Sequence, residues 1–348
     1  MMHSSYYPIG PQRWQERWGM PFEAFAPGQR FRHRPGITLS QRDNTVEALD
    51  TFNAAMLHYD AHYAARTTWK RPLMVSTATL QRVIGMANKT YGDRAAILGF
   101  EEIALTAPLF DGDTIYAESE VVAVDGAGGG PTGTVTAVFR CVKPDGSAVA
   151  TLRAILAVYR QGAAPDAPGS QPDPDPRFAA YHEDADGALC EQVGIFFEDF
   201  REGDSFIHAP RRSFHPHECV DYSRRAFEAD PRTQDLDWIS RHAGGRMRVP
   251  ETFLIGSTAA LSTRSFGRVV ANLAWLEIRL PNPVHVGDTI TAESRVVSKR
   301  DTKSRPAEGV LGVETWAADT EGRQVLSYRR NLLLYRRDAP TPYAAAGY

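Results

Sequence analysis

Apolar residues recur at helical spacing in STATLQRVIGMANKTYG (76–92), where Leu80, Val83, Ile84 and Ala87 share one face and predict a long helix. Four runs follow, AAILGFEEIAL, DTIYAESEVVAV, GTVTAVFRCV and AVATLRAILAVYR, several of which alternate apolar and polar positions as half-buried antiparallel strands do. Pro144-Asp145-Gly146 and Thr320-Glu321-Gly322 read as hairpin turns joining the last two strands of their respective sets. Upstream, Thr38-Leu39-Ser40-Gln41 opens a shorter helix over DNTVEALDTF, and HPHECVDYSRRAF fills the matching slot later in the chain. One long helix against consecutive antiparallel strands gives an α+β unit whose sheet wraps the helix.

The unit occurs twice. Phe22, Glu23, Phe25, Gly28 and Phe31 recur as Phe197, Glu198, Phe200, Gly203 and Phe206, each displaced by 175 positions. PLFDGDTIYAESEVV (108–122) faces PVHVGDTITAESRVV (283–297) at the same displacement, and Tyr159 faces Tyr335 at 176. One register held at three separated places marks an internal duplication. QGAAPDAPGSQPDPDPRF (161–178) is too poor in apolar residues to pack, so a linker is expected over 161–189, between units at 15–160 and 190–337. APTPYAAAGY is expected to form a disordered tail. The junction of two such units is a natural ligand cleft.

A length of 348 residues accommodates both units, and 43% hydrophobic with 23% charged residues is the composition of a soluble globular protein. The formal charge of −3 supplies no general attraction to nucleic acid or anionic membrane, and neither is expected as a partner. No apolar run is long enough to span a bilayer, and the N-terminal residues lack the apolar segment of a secretory signal. Cys141, Cys190 and Cys219 are far apart without CxxC spacing, so reduced thiols and a cytoplasmic location are expected, with neither disulfide framework nor structural zinc.

The chemistry concentrates in Asn53-Ala54-Ala55-Met56-Leu57-His58-Tyr59-Asp60-Ala61-His62. With the opening FEAFAPGQRF, the segment Arg71-Pro72-Leu73-Met74-Val75 and the GDTI-x-AES strand, it resembles the MaoC-like hotdog-fold hydratases and dehydratases of acyl-CoA thioesters. Their motif is an Asp or Asn five residues before a His, followed after one residue by an acid. Within that family, Asn at the first position and a partner half opening with FFEDFR resemble the duplicated mesaconyl-CoA (2-methylfumaryl-CoA) hydratases, although here the His-bearing half comes first. The resemblance implies a double hotdog and reversible hydration of an enoyl-CoA, with no cofactor beyond the substrate's own coenzyme A. It also implies a homodimer.

Such a reaction needs a base for water, an acid for the α-carbon and donors for the thioester oxygen. His58 is expected to move the proton and Asn53 to hold the water, since an amide orients water without accepting its proton. Either His58 does the proton work alone or Asp60 or Glu47 assists it, and the Ser76 and Thr77 amides at the long helix's start are the expected oxyanion donors, where the family commonly has Gly. Arg66, Lys70 and Arg71 after the motif, and Lys299, Arg300 and Lys303 in the basic run SKRDTKSR, are candidates to grip coenzyme A phosphates. His58 and His62 have HxxxH spacing but no third ligand follows, so no metal is expected. The matching region of the second half, 229–237, has no His, which predicts one active site per chain. Hydration of simple enoyl-CoA chains, thioester hydrolysis and non-catalytic acyl-CoA binding are the competing readings.

Overall fold

The computed structural model describes residues 3–165 and 175–346. It opens with a hairpin of β1 (Tyr6–Gly10) and β2 (Arg13–Glu16). β3 (Arg30–Thr38) leads into α1 (Gln41–Asp50), whose N-cap Ser40 accepts the Asp43 N–H, and then into the one-turn α2 (Ala61–Ala64). The long helix α3 (Ser76–Met86) is followed by a short α4 (Asn88–Tyr91) and by β4 (Arg94–Leu105), β5 (Thr114–Asp125), β6 (Thr132–Val142) and β7 (Ala148–Tyr159). The series then repeats: hairpin β8 (Tyr181–Glu183) and β9 (Leu189–Glu191), strands β10 (Ser205–Ile207) and β11 (Arg212–Ser213), helices α5 (Pro216–Arg225), α6 (Pro231–Gln234) and α7 (Leu236–His242). Last come α8 (Glu251–Leu261), α9 (Thr263–Phe266), β12 (Val269–Arg279), β13 (Thr289–Asp301), β14 (Glu308–Asp319) and β15 (Gln324–Tyr335).

Two sheets result, each curved against one long helix, which is the expected α+β double hotdog. The first runs β4-β7-β6-β5-β3-β9-β8 and the second β1-β2-β10-β13-β14-β15-β12. The helical stripe buries as its spacing requires: Val83 and Ala87 are buried, and Leu80 and Ile84 pack against the core that includes Ile115, Ala117, Val135 and Ala137 of the first sheet. In the second half, Leu254 of α8 packs with Phe214, Ile290, Val325 and Tyr328.

The two halves exchange their leading hairpins. β2 pairs in parallel with β10 of the second half, and β9 with β3 of the first. The registers coincide across the duplication, Phe206 facing Trp14 as Phe31 faces Leu189. Each hairpin carries an acid into the other half's interior. Glu191 accepts hydrogen bonds from Thr90 (2.7 Å) and the Arg34 amide (3.0 Å) and pairs with His33 (3.0 Å). Its mate Glu16 accepts from the Ala209 amide (3.0 Å), pairs with Arg264 (2.8 Å) and lies 3.9 Å from His208. Burial pushes His208 down to about 3, so it is neutral at pH 7.

These hairpins correct the expected boundaries. The repeating unit includes Tyr6–Glu16, which bounds beginning at 15 largely omit, and Tyr181–Glu191 belongs to the sheets rather than to a linker over 161–189. Phe178 is also buried, packed edge-on against Tyr6, Trp14 and Phe206. Composition misleads there because a few aromatic residues suffice to seat a short hairpin on an open strand edge. Residues 166–174 of the proposed linker lie outside the described residues. The tail also differs from expectation: Tyr343 packs on Tyr335 and donates to the Gly267 carbonyl at 3.2 Å. β4 is the outer strand of its sheet and leaves Ile97, Leu98, Phe100 and Leu105 exposed.

Candidate active site

α1 and the irregular segment after it place His58 beside the start of α3. Asn44, wholly buried on α1, binds three stretches at once. Its amide nitrogen donates to the His58 and Leu73 carbonyls (2.8 and 3.1 Å), and its oxygen accepts the Val75 N–H (2.8 Å). Gln41 adds a second donor to the His58 carbonyl at 2.6 Å. The His58 ring is held in turn, with Nδ1 2.7 Å from the Leu73 carbonyl oxygen. A carbonyl only accepts, so Nδ1 carries a proton, and in the neutral ring Nε2 is the nitrogen with the lone pair. A half-buried imidazole with a fixed tautomer therefore presents a base beside the first turn of α3.

The expected site residues fall into distinct roles. Asn53 turns its oxygen to the Ala55 N–H (2.9 Å), which leaves its amide N–H groups as the donors at this position. Ser76 and Thr77 are the first two residues of α3 and are exposed, so their amides lack intrahelical acceptors and present the positive end of the helix dipole. Glu47 accepts from the Thr77 hydroxyl at 3.3 Å, which puts a carboxylate at the same helix start. Asp60 is occupied otherwise. It caps α2 by accepting the Tyr63 N–H, and Asp235, its mate 175 positions on, caps α7 through the Trp238 N–H. A cap present in both halves, only one of which carries the His, is explained by folding alone.

Of the expected phosphate ligands, Arg66, Lys70 and Arg71 lie exposed on the loop between α2 and α3, with Arg71 over the Phe110 ring at 3.9 Å. Lys299 is taken up structurally: its ammonium donates to the Glu198 and Phe200 carbonyls, both at 2.9 Å. Arg300 and Lys303 are exposed at the end of β13 and the turn after it, in the other half of the chain. His62 is exposed on α2. The described residues contain one His, Asp and Cys group close enough to share an ion, His182, Asp184 and Cys190, but burial raises the Cys190 thiol to about 11 and Asp184 is already paired with Arg32.

The second half lacks the base. Thr233 stands where His58 does, and its hydroxyl reaches the Arg248 carbonyl (3.3 Å) as His58 reaches that of Leu73. Cys219, buried, stands in place of Asn44. Asn44 and Gln41 escaped the sequence reading. The available signal was an amide at the α1 position in line with Ser40 and Ala48, on the face that must turn inward.

Fold and site together define a MaoC-like hotdog protein, and residues 22–138, which include Asn53 and His58, match the MaoC-like domain family. Residues 170–346 match the family described as mesaconyl-CoA hydratase, and the chain belongs to that family. It is 32% identical to the mesaconyl-CoA hydratase of Cereibacter sphaeroides over 155 residues, 44% of this chain and 45% of that protein. It is 27% identical to the Haloarcula hispanica mesaconyl-CoA hydratase over 165 residues, 47% of this chain and 46% of that one. The matched stretch is thus about half the length of these curated relatives. Among solved structures, a MaoC domain protein dehydratase of Chloroflexus aurantiacus is similar at 21% identity and TM-score 0.40, over 92% of this chain and 98% of that one. A Mycobacterium tuberculosis protein with a double hotdog fold is similar at 22% identity and TM-score 0.38, over 91% and 99%.

Proposed function

We propose that the chain reversibly hydrates an α,β-unsaturated acyl-CoA thioester, with mesaconyl-CoA the preferred substrate, using one active site built on His58. The observation that carries this reading is the Leu73 carbonyl bound to Nδ1, which leaves Nε2 as the base beside an unsatisfied helix start. In the hydration direction Asn53 orients a water and Nε2 removes its proton as the water oxygen bonds to the β-carbon. The electron pair of the C=C bond moves onto the thioester oxygen, where the Ser76 and Thr77 amides stabilise it. The proton on Nε2 then passes to the α-carbon, restoring the thioester and the neutral imidazole. No external acid is required.

The chain is proposed to act in the cytoplasm as a homodimer. In support, β4 and β12 are outer strands with exposed apolar side chains, Leu98 and Leu105 on one and Leu273, Trp275 and Leu276 on the other, and a second copy would cover them. Sedimentation velocity should give twice the chain mass; a monomer at micromolar concentration contradicts the pairing. No helix among the described residues is long and apolar enough to cross a membrane.

The test of function is the absorbance of the enoyl-thioester chromophore, with mesaconyl-CoA and crotonyl-CoA compared in parallel and a thiol reagent present. Chromophore loss without free thiol, faster with mesaconyl-CoA, is expected. Faster loss with crotonyl-CoA would transfer the assignment to simple chains, thiol release would make the protein a thioesterase, and an unchanged chromophore would leave only a binder.

A further inference from the structure

A cavity of about 700 Å3 opens where the exchanged hairpins meet, at the opposite end of α3 from His58. Its walls include Trp18, Ile37, Met86 and Phe196, an apolar and aromatic surface. Cations outnumber acids around it. Arg264, Arg177 and Arg337 are balanced by Glu16, Asp204 and Asp199 respectively. Two further cations on the α3–α4 side are not balanced in this way. Arg82 donates to the Ala78 carbonyl and Lys89 to that of Gln192, and among the described residues neither forms an ion pair. Burial lowers the Lys89 pKa to about 8, with Arg264 and Arg268 acting in the same direction and the Glu191 and Glu16 carboxylates acting against it. One guanidinium nitrogen of Arg264, Nη1, is also buried without a hydrogen-bond partner.

The exposed side of α3 connects this cavity to the proposed catalytic segment. Thr77, Gln81 and Gly85 are four residues apart in turn and all exposed, so they form one stripe along the helix. From Ser76 to Gly85 the rise is about 14 Å at ~1.5 Å per residue. Gly85 lines the cavity, and a Cβ built on it meets nothing within 4 Å.

We propose that this cavity receives the phosphate-bearing nucleotide end of coenzyme A, with Lys89 and Arg82 contacting the phosphates and the pantetheine arm lying along the α3 stripe toward His58. The inference rests on the acyl-CoA reading above. It assigns phosphate recognition to the junction of the two halves rather than to the surface cations at 66–71 and 299–303. The Glu191 and Glu16 carboxylates favour the charge on Lys89 without an ion pair among the described residues, and a phosphate at the cavity wall would add a charge-assisted contact.

Calorimetric binding of coenzyme A, with pantetheine as the probe lacking the nucleotide and its phosphates, tests the assignment on the full chain. Wild type should prefer coenzyme A, and Lys89→Met should erase most of that preference while leaving pantetheine binding in place. Gly85→Leu replaces a glycine inside a helix, so the fold should hold or gain stability, yet it should weaken coenzyme A binding about 10-fold or more by filling the path. Wild-type affinity in both variants overturns the proposal, as does a wild type that binds no coenzyme A. The catalytic reading fails separately, if wild type binds coenzyme A but leaves the chromophore untouched. If turnover proceeds while both variants keep the wild-type KM, only the cavity assignment fails.

Discussion

Asn44→Ala tests the site's architecture where its hydrogen bonds converge. The wild-type amide makes three good bonds, to the His58 carbonyl (2.8 Å), the Leu73 carbonyl (3.1 Å) and the Val75 N–H (2.8 Å). At roughly 0.5–1.5 kcal/mol net for each, their loss should destabilise the fold by about 2–4 kcal/mol, and a buried Val75 N–H left unmatched pushes toward the upper end. The His58 carbonyl would keep its bond from Gln41, so the segment should persist but wander. Misplacement of a catalytic base by an ångström costs as much as ~100-fold in rate, so kcat should fall between about 10-fold and 100-fold. KM should change little, because Asn44 touches backbone beneath the site and not the proposed coenzyme A path. Urea unfolding and chromophore kinetics at a temperature where the variant is fully folded measure both quantities. Asn44→Asp is the control: it keeps an acceptor for Val75 but turns oxygen toward two carbonyls, so it should be no better than Ala. A variant within 1 kcal/mol of wild type and with unchanged kcat would refute the positioning role.

Other outcomes follow from the same geometry. Asn53→Ala should lower kcat strongly with a smaller change in KM, since it removes the proposed water holder; an unchanged kcat removes Asn53 from the mechanism. Any turnover surviving in His58→Ala should vanish in the double variant with Glu47→Gln, because Glu47 is the remaining carboxylate at the helix start; survival there would point to a different base. Lys89→Met should stabilise the protein at pH 7 by about 1–3 kcal/mol, as a lysine depressed to about 8 costs stability that appears as pH falls from the unfolded value near 10.5. That gain should fade toward pH 10.5, and urea unfolding at both pH values checks it. For His208, depressed to about 3 by burial, the native state resists protonation while the unfolded chain takes it up below pH 6.5. Its contribution is therefore lost as pH falls from 6.5 toward 3, with a slope of up to about 1.4 kcal/mol per pH unit that His208→Gln should flatten.

The duplication, the long helix α3 and the strands from β4 to β7 were legible because each uses a long periodic stretch or a shared motif. The exchanged hairpins were not. β1–β2 and β8–β9 are strands of three to five residues, and their sequences share little beyond Tyr6 with Tyr181, Glu16 with Glu191 and Gly19 with Gly194. Short strands gain their stability from the partner they join, and an exchange between distant segments leaves no local mark. The repeated His33 and Pro35 against His208 and Pro210 did carry a signal for the buried acid–histidine networks. At the site, the family motif brought out Asn53 and His58, whereas Asn44 is visible only once α1 is seen to turn that face inward. The basic run at 299–303 stands out by charge density, yet Lys299 serves two backbone carbonyls, and the cavity's cations at 82 and 89 lie scattered in sequence.

The central claim is that one imidazole, oriented by the Leu73 carbonyl, carries the proton in hydration of a coenzyme A thioester. His58→Ala in the mesaconyl-CoA chromophore assay tests it most directly, with coenzyme A binding and the unfolding transition recorded on the same preparation. A folded variant that binds coenzyme A as wild type does but has lost turnover by at least about 100-fold is the predicted result. Turnover close to wild type in that folded variant would contradict the account and move the chemistry away from this segment.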